Sequence, residues 1–306
     1  MSKNQVKEII DIHNHFFHKG FAESFRKAFP EEFTKRFERM NQDPERMKFF
    51  QSLPGPEERA KQMIEDMKVK GIDYILPMTF SGDEENGFKA HKTYPKEFPG
   101  TVPMLFPDYH TDPEVLDSWK EQGAVAVKFY PAQWKYGFDD DRIEKYLDKI
   151  RDLGLGVLIH FGVVKGGDQR GTWPPNPLTL KPWLKSPKFE DMKFIVCHFG
   201  AGYLREVLMM GYGYPKQIAV DTSGSNDWIF NSVLPDLTFV FQRTIEALQP
   251  ENVYFGTDSN AQLLRKNVID RQLGILEDLV TKKIITDEDR WNILGGNTKR
   301  DILKSS

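Results

Sequence analysis

EIIDIHNH, residues 8–15, is a short branched run that ends in a histidine pair, and FFHKG then breaks it. Three of the chain's seven histidines, His13, His15 and His18, fall within six positions here. Alternate side chains of a strand share a face, so Asp11, His13 and His15 are expected to point one way, with Ile12 and Asn14 the other. The same kind of run recurs as IDYILPMTF (72–80), TVPMLF (101–106), AVAVKFY (124–130), LGVLIHF (155–161), KFIVCHF (193–199), QIAVDTS (217–223) and NVYFGTDS (252–259). Between them lie segments with helical spacing such as PEERAKQMIEDMKVKG, DPEVLDSWKEQG and DDDRIEKYLDKIRDLG, several with an acidic start and a glycine stop. Eight strands, seven crossovers and a helical C-terminal segment predict an α/β fold, a (β/α)8 TIM barrel. No G-x-G-x-x-G or G-x-x-x-x-G-K-[ST] follows any strand, which disfavours the dinucleotide-binding and P-loop alternatives.

The 306 residues suit one such barrel, taken as a single domain over 1–306. Two connections exceed what a simple barrel needs. Residues 16–56 are rich in Phe, Lys, Arg and Glu and predict an inserted helical segment after strand 1. Residues 162–187, with four glycines and five prolines, predict a long irregular loop after strand 5. Both leave the strand ends where barrel enzymes build their sites, so they are candidate walls or lids, with plain shielding of the barrel mouth as the alternative for most of their residues. A net charge of −3, from 42 basic and 45 acidic residues, gives no pull toward nucleic acid or an anionic membrane and leaves a small-molecule substrate as the expected partner. MSKNQVKE has no signal pattern, no apolar run is long enough to span a bilayer, and a single cysteine, Cys197, excludes an internal disulfide. A cytoplasmic protein is expected.

Parity places the polar residues. His160 faces inward with Gly156 and Leu158, because the branched Val157 and Ile159 suit the helix-facing side. The same reading of strand 6 turns Phe194, Val196 and His198 inward and Ile195 and Cys197 outward, with Cys197 as inert core. Strand 8 aligns Tyr254, Gly256 and Asp258, and strand 4 aligns Ala126, Lys128 and Tyr130. Four histidines, an aspartate and a lysine thus converge at one end of the barrel. Each buried histidine would need its own hydrogen-bond partner, and the partners would crowd one another. A divalent cation held by neutral imidazoles and a carboxylate resolves that conflict. Tyr130, Trp134, Trp173, Phe16 and Tyr203 are candidate ring-stacking residues at the same end, against ordinary packing as the alternative. Arg170, Lys165 and Arg265 are candidate carboxylate anchors, against plain solvation. His18 is expected on a solvated loop, His91 at the surface and His110 near the mouth.

The ordered set DIHNH (11–15), VKFYP (127–131), LIHFG (158–162), VCHFGAG (196–202), YFGTDS (254–259) and LGGNTKRDIL (294–303) resembles the amidohydrolase superfamily. The resemblance is to the amidohydrolase-related branch that includes the aminocarboxymuconate-semialdehyde decarboxylase group, and it covers nearly the whole chain. It implies that His13, His15, His160 and Asp258 hold one divalent metal, zinc first and manganese second. His198 would sit beside it and polarise or position the reacting group. Hydrolysis of a small carboxylated or cyclic ester or amide by an activated water is the first expectation, with Asp258 as proton acceptor and donor. Non-oxidative decarboxylation or hydration is the alternative, and an inactive binding protein the least favoured. Two-metal members bridge their ions through a carboxylated lysine on strand 4. KFYP looks instead like the lysine of single-metal members, so Lys128 is assigned to substrate or a neighbouring carboxylate, with a second metal as the less favoured reading. Such enzymes are commonly homo-oligomers.

Overall fold

The structure, a computed structural model, describes residues 7–28, 48, 52–134, 136–162, 175–259 and 266–304. All eight expected strands are present: β1 (Ile10–His15), β2 (Tyr74–Thr79), β3 (Val102–Leu105), β4 (Ala126–Phe129), β5 (Gly156–Ile159), β6 (Phe194–Val196), β7 (Ile218–Asp221) and β8 (Val253–Tyr254). They pair in parallel and in sequence order. Backbone bonds from Ile12 N to Phe255 O (3.2 Å), Asp258 N to His13 O (2.8 Å) and His15 N to Ser259 O (2.8 Å) join β1 to the segment that continues β8, closing the (β/α)8 barrel.

Two apolar layers hold it. Val127, Phe129, Val157, Ile159, Ile218, Val220, Val253 and Phe255 are buried between the barrel and its helices. Leu76, Met78, Val102, Ala126, Leu158, Ala219 and Tyr254 fill the interior. The helices follow local chemistry. Pro56–Lys70 begins with a proline and Glu57 and Glu58 in its first turn, and buries Ala60, Met63, Ile64 and Met67 along one stripe. It stops at Gly71, whose φ of 66° lets its N–H close back on Lys68 and Met67.

Three expectations need correction. On β6 the parity is reversed, with Phe194 and Val196 in the outer layer and Ile195 and Cys197 in the interior. Ile195 and the small Cys197 fill the limited space inside the barrel, and the bulkier Phe194 needs the roomier layer under the helices. On β1, Ile12 belongs to the interior cluster, because the register against β2 shifts between Asp11 and Asn14 and strict alternation fails there. The segment after strand 5 is not wholly irregular, since Pro177–Leu180 is 3-10 and Lys181–Lys185 α-helical. Pro177 and Pro182 occupy first-turn positions, where the missing N–H has no bond to lose, and the Asn176 side chain accepts from Leu178 N. Of the insertion after strand 1, the helix Phe21–Ala28 is described, whereas 29–47 and 49–51 lie outside the described residues, as do 163–174.

Candidate metal centre

The C-terminal ends of β1, β4, β5, β6, β7 and β8 meet at one place. His13 Nδ1 lies 2.7 Å from Asp221 Oδ2, so its proton belongs there and its Nε2 turns toward Asp258, 3.7 Å away. His15 Nε2 is 3.2 Å from the same Asp258 oxygen. Donor atoms of His13, His15 and Asp258 lie within 4.8 Å of one another, as do those of His13, His198 and Asp221. His198 Nε2 lies 3.0 Å from His160 Nδ1, and its Nδ1 is 2.8 Å from Ser223 Oγ.

His198 reaches this position although its strand runs in the opposite parity to that expected. His198 (φ 56°), Phe199 (φ 53°) and Ala201 (φ 45°) are left-handed, a conformation that costs L-residues roughly 1–2 kcal/mol each. Asp221 offsets part of this by accepting His198 N at 2.8 Å. Asp258 is also left-handed (φ 54°), with its own N–H bound to His13 O. Strain of this kind is kept where neighbours over-determine the backbone.

Charge is set by burial and by these contacts. Burial and the Lys128 ammonium lower the His13 pKa to about 3 against the pull of Asp221. Burial is also the main cause that lowers His160 and His198. All three imidazoles are therefore neutral near pH 7 and can offer lone pairs. Burial alone would raise the Asp258 carboxyl, but the His15 hydrogen bond and the fields of His198 and His13 hold it well below its ordinary value. Asp221 is likewise held ionised against burial by His13. Buried His15 Nδ1 and His160 Nε2 have no hydrogen-bond partner among the described residues. Three neutral imidazoles, an ionised carboxylate and orphaned ring nitrogens fit a borderline divalent cation.

Lys128 is 1% exposed, and its Nζ sits 2.8 Å from Cys197 Sγ and 3.3 Å from His13 Nε2. Its place is thus beneath the histidines. Cys197, expected outward, is an interior thiol that burial keeps protonated, and it accepts from Lys128. Tyr130 packs its ring 4.4 Å from that of His160. Trp134 is buried in the outer layer against Phe129 and Phe138, and Phe16 is buried there too. Packing, the alternative reading, holds for both. Tyr203 is half-buried. Arg170, Trp173, Lys165 and Arg265 lie outside the described residues. His18 is not solvated: it is 2% exposed and bonds Asp83 at 2.7 Å, because the inserted helix folds over it. His91 is half-buried with Nδ1 on Phe98 O, and His110 is held by Glu84 at 3.0 Å.

Asp221, Ser223 and Phe80 were not among the expected site residues. The first two had a signal, since branched Ile218 and Val220 turned outward leave Ala219, Asp221 and Ser223 inward. Phe80 stacks on His15 with ring centres 5.5 Å apart, and Phe17 lies 5.1 Å from Phe80. Phe21 and Phe25 of the inserted helix extend this aromatic wall. No local sequence pattern announces it.

The family model described as Amidohydrolase matches residues 10–300. The chain belongs to this amidohydrolase family. No curated protein matches it. Among solved structures it is similar to 5-carboxyvanillate decarboxylase of Novosphingobium aromaticivorans with bound manganese and 3-methoxy-4-hydroxy-5-nitrobenzoic acid (TM-score 0.66, 12% identity, 98% of each chain covered). It is also similar to a probable 2-pyrone-4,6-dicarboxylic acid hydrolase of Acinetobacter baumannii with citric acid bound (TM-score 0.62, 15% identity, 96% of this chain and 99% of that one). A third is dihydroxybenzoic acid decarboxylase of a Polaromonas species with manganese and 2-nitroresorcinol (TM-score 0.59, 14% identity, 98% of each). The amidohydrolase is thus an enzyme whose structural neighbours include both lyases and hydrolases. Among its described residues no helix is long and apolar enough to cross a membrane.

Proposed function

We propose that this amidohydrolase is a metal-dependent, non-oxidative decarboxylase of a small hydroxylated aromatic acid. The observation that carries this reading is the Asp258 carboxylate, a fifth exposed between His13 and His15, under a wall of Phe80, Phe17 and Tyr130 that suits a flat ring. The manganese-bound decarboxylases among its structural neighbours support it. His13, His15, His160 and Asp258 would hold one divalent ion, manganese or zinc, with Asp221 fixing the His13 ring. Bound there, the ion would supply Lewis-acid stabilisation of a substrate oxygen.

The protein's own part is positioning and proton transfer. Asp258, ionised at rest, takes the proton of a ring hydroxyl. It then delivers that proton to the ring carbon bearing the carboxylate as the bond from that carbon to the carboxylate breaks. Carbon dioxide leaves and a phenolate remains, which water reprotonates. His198, neutral and held by Ser223, fixes the inner edge of the site. The aromatic wall excludes water from the carbon that receives the proton.

Hydrolysis is the second reading, and one observation favours it. The probable 2-pyrone-4,6-dicarboxylic acid hydrolase among its structural neighbours supports it, and the ionised Asp258 would there take a proton from attacking water. Metal-loaded protein assayed on hydroxylated benzoates and on lactones or amides separates the two. Carbon dioxide release from an aromatic acid supports the first reading; turnover of lactones or amides alone overturns it.

A further inference from the structure

The opposite end of the barrel carries chemistry that the site at the mouth does not use. A cavity of about 410 Å³ opens at the floor, within the ~300–1,000 Å³ range of small-ligand sites. Its base is apolar, formed by Ile195, Ile302 and Leu155. Gly156 keeps it open, because a Cβ there would stand 2.5 Å from Ile302 Cδ1. Its rim is cationic: Arg151, Lys193, Lys216, Arg300 and Lys304 face only two carboxylates, Asp191 and Asp301, in a chain whose net charge is −3.

The balance within the rim is uneven. Asp301 already takes Lys193 at 2.8 Å and Arg300 at 2.7 Å, and also accepts the Tyr254 hydroxyl. Arg151 is paired outside the cavity, with Asp152 and Asp148. The Lys304 ammonium is held by a neutral group, the Gly154 carbonyl at 2.6 Å. Lys216 is exposed and makes no hydrogen bond or ion pair among the described residues. Lys216 and Lys304 therefore leave a positive excess around an apolar-based hollow, with Asp191 as the one rim carboxylate set against them.

We propose that this floor cavity binds a small multivalent oxyanion, with Lys216 and Lys304 as its principal charge partners and the Ile195–Ile302 surface beneath it. Such cations bind phosphate or carboxylate oxygens as point charges, and affinity should weaken with salt. The site is separate from the metal centre and does not depend on the reaction proposed there.

The test is calorimetry on the intact, metal-loaded protein with pyrophosphate and, in a second arm, citrate. Each is titrated into the native chain, Lys216→Glu, Lys216→Arg and Lys304→Ala. The expected result is binding to the native chain and to Lys216→Arg, with at least a tenfold loss in Lys216→Glu and a smaller loss in Lys304→Ala. Binding of pyrophosphate alone assigns a phosphoryl ligand, and binding of citrate alone a polycarboxylate. No binding of either anion, or binding unchanged in Lys216→Glu, overturns the proposal. Lys216 is exposed, so the variant is expected to fold, and an unchanged melting curve verifies it. Asp258→Asn is the control for anion captured at the metal: loss of all binding in that variant also overturns the proposal.

Discussion

The mouth of the barrel divides into two arcs built on different terms. From β2 to β5 the strands keep strict alternation, and residues such as Lys128 and His160 stand where parity puts them. From β6 through β8 to β1 the regular backbone fails repeatedly. His198, Phe199 and Asp258 are left-handed, and the register of β1 shifts between Asp11 and Asn14. Asp221, Ser223, Asp258, His198 and the His13–His15 pair all lie on this second arc. Both LIHFG and VCHFG end a strand in histidine, phenylalanine and glycine, yet one histidine leaves by alternation and the other by strain. Where several polar groups must converge on one point, backbone regularity is given up and hydrogen bonds to buried carboxylates offset the cost.

The largest expected effect falls on the irregular arc. Asp258→Asn keeps the shape but removes the charge and the proton acceptor, so kcat should drop roughly a hundred- to ten-thousand-fold with little change in the melting temperature. Near-native turnover would place the proton transfer elsewhere. Next comes the exit of β5, where Gly162 has φ 97° and an added Cβ would lie 2.4 Å from the Ala201 carbonyl oxygen. Gly162→Ala should cost about 2–4 kcal/mol in urea unfolding; a cost near zero would mean that the two exits do not press on each other.

Asp11 gives a pH test at the seam between β1 and β8. Burial raises its carboxyl to about 6 against hydrogen bonds from Thr257, Asn14 and the His13 backbone. The folded state thus holds a proton that the unfolded chain releases near pH 4, so this group stabilises most at low pH and loses that contribution as pH rises toward 6. In chelator-treated protein, Asp11→Asn should gain on the native chain by up to about 3 kcal/mol between pH 4 and 7. A difference that stays flat would show that Asp11 is not protonated in the fold. Asp221→Asn should weaken metal affinity roughly 10–100-fold by freeing the His13 ring, read by competition with a chelating dye; unchanged affinity would reduce Asp221 to a backbone prop for His198. The smallest effect is Ala201→Gly, which relieves a left-handed alanine and should stabilise by at most about 1 kcal/mol. A clear loss would mean that the β6 exit is not strained.

Those two arcs also separate what the sequence discloses from what it hides. The eight strands, their order and the inward set of β4, β5 and β8 follow from branched residues alternating with small or polar ones, a local signal. Reversal on β6 is not local, since Ile195, Cys197 and Phe194 are all apolar and only the space inside the barrel decides which turns in. Inward parity on β6 predicts His198 at the site for the wrong reason, since its left-handed exit brings it there. Asp221 carried a readable signal in QIAVDTS. The wall over His15 had none, because Phe17 and Phe80 are far apart in the sequence and meet only where the ends of β1 and β2 pair.

The central claim is that His13, His15 and Asp258 form one metal centre on the strained arc. Metal analysis after saturation with manganese or zinc and desalting tests it directly. The account predicts one equivalent per native chain, lost in His15→Ala with the fold intact by circular dichroism; no bound metal in the native chain, or full retention by His15→Ala, would contradict it.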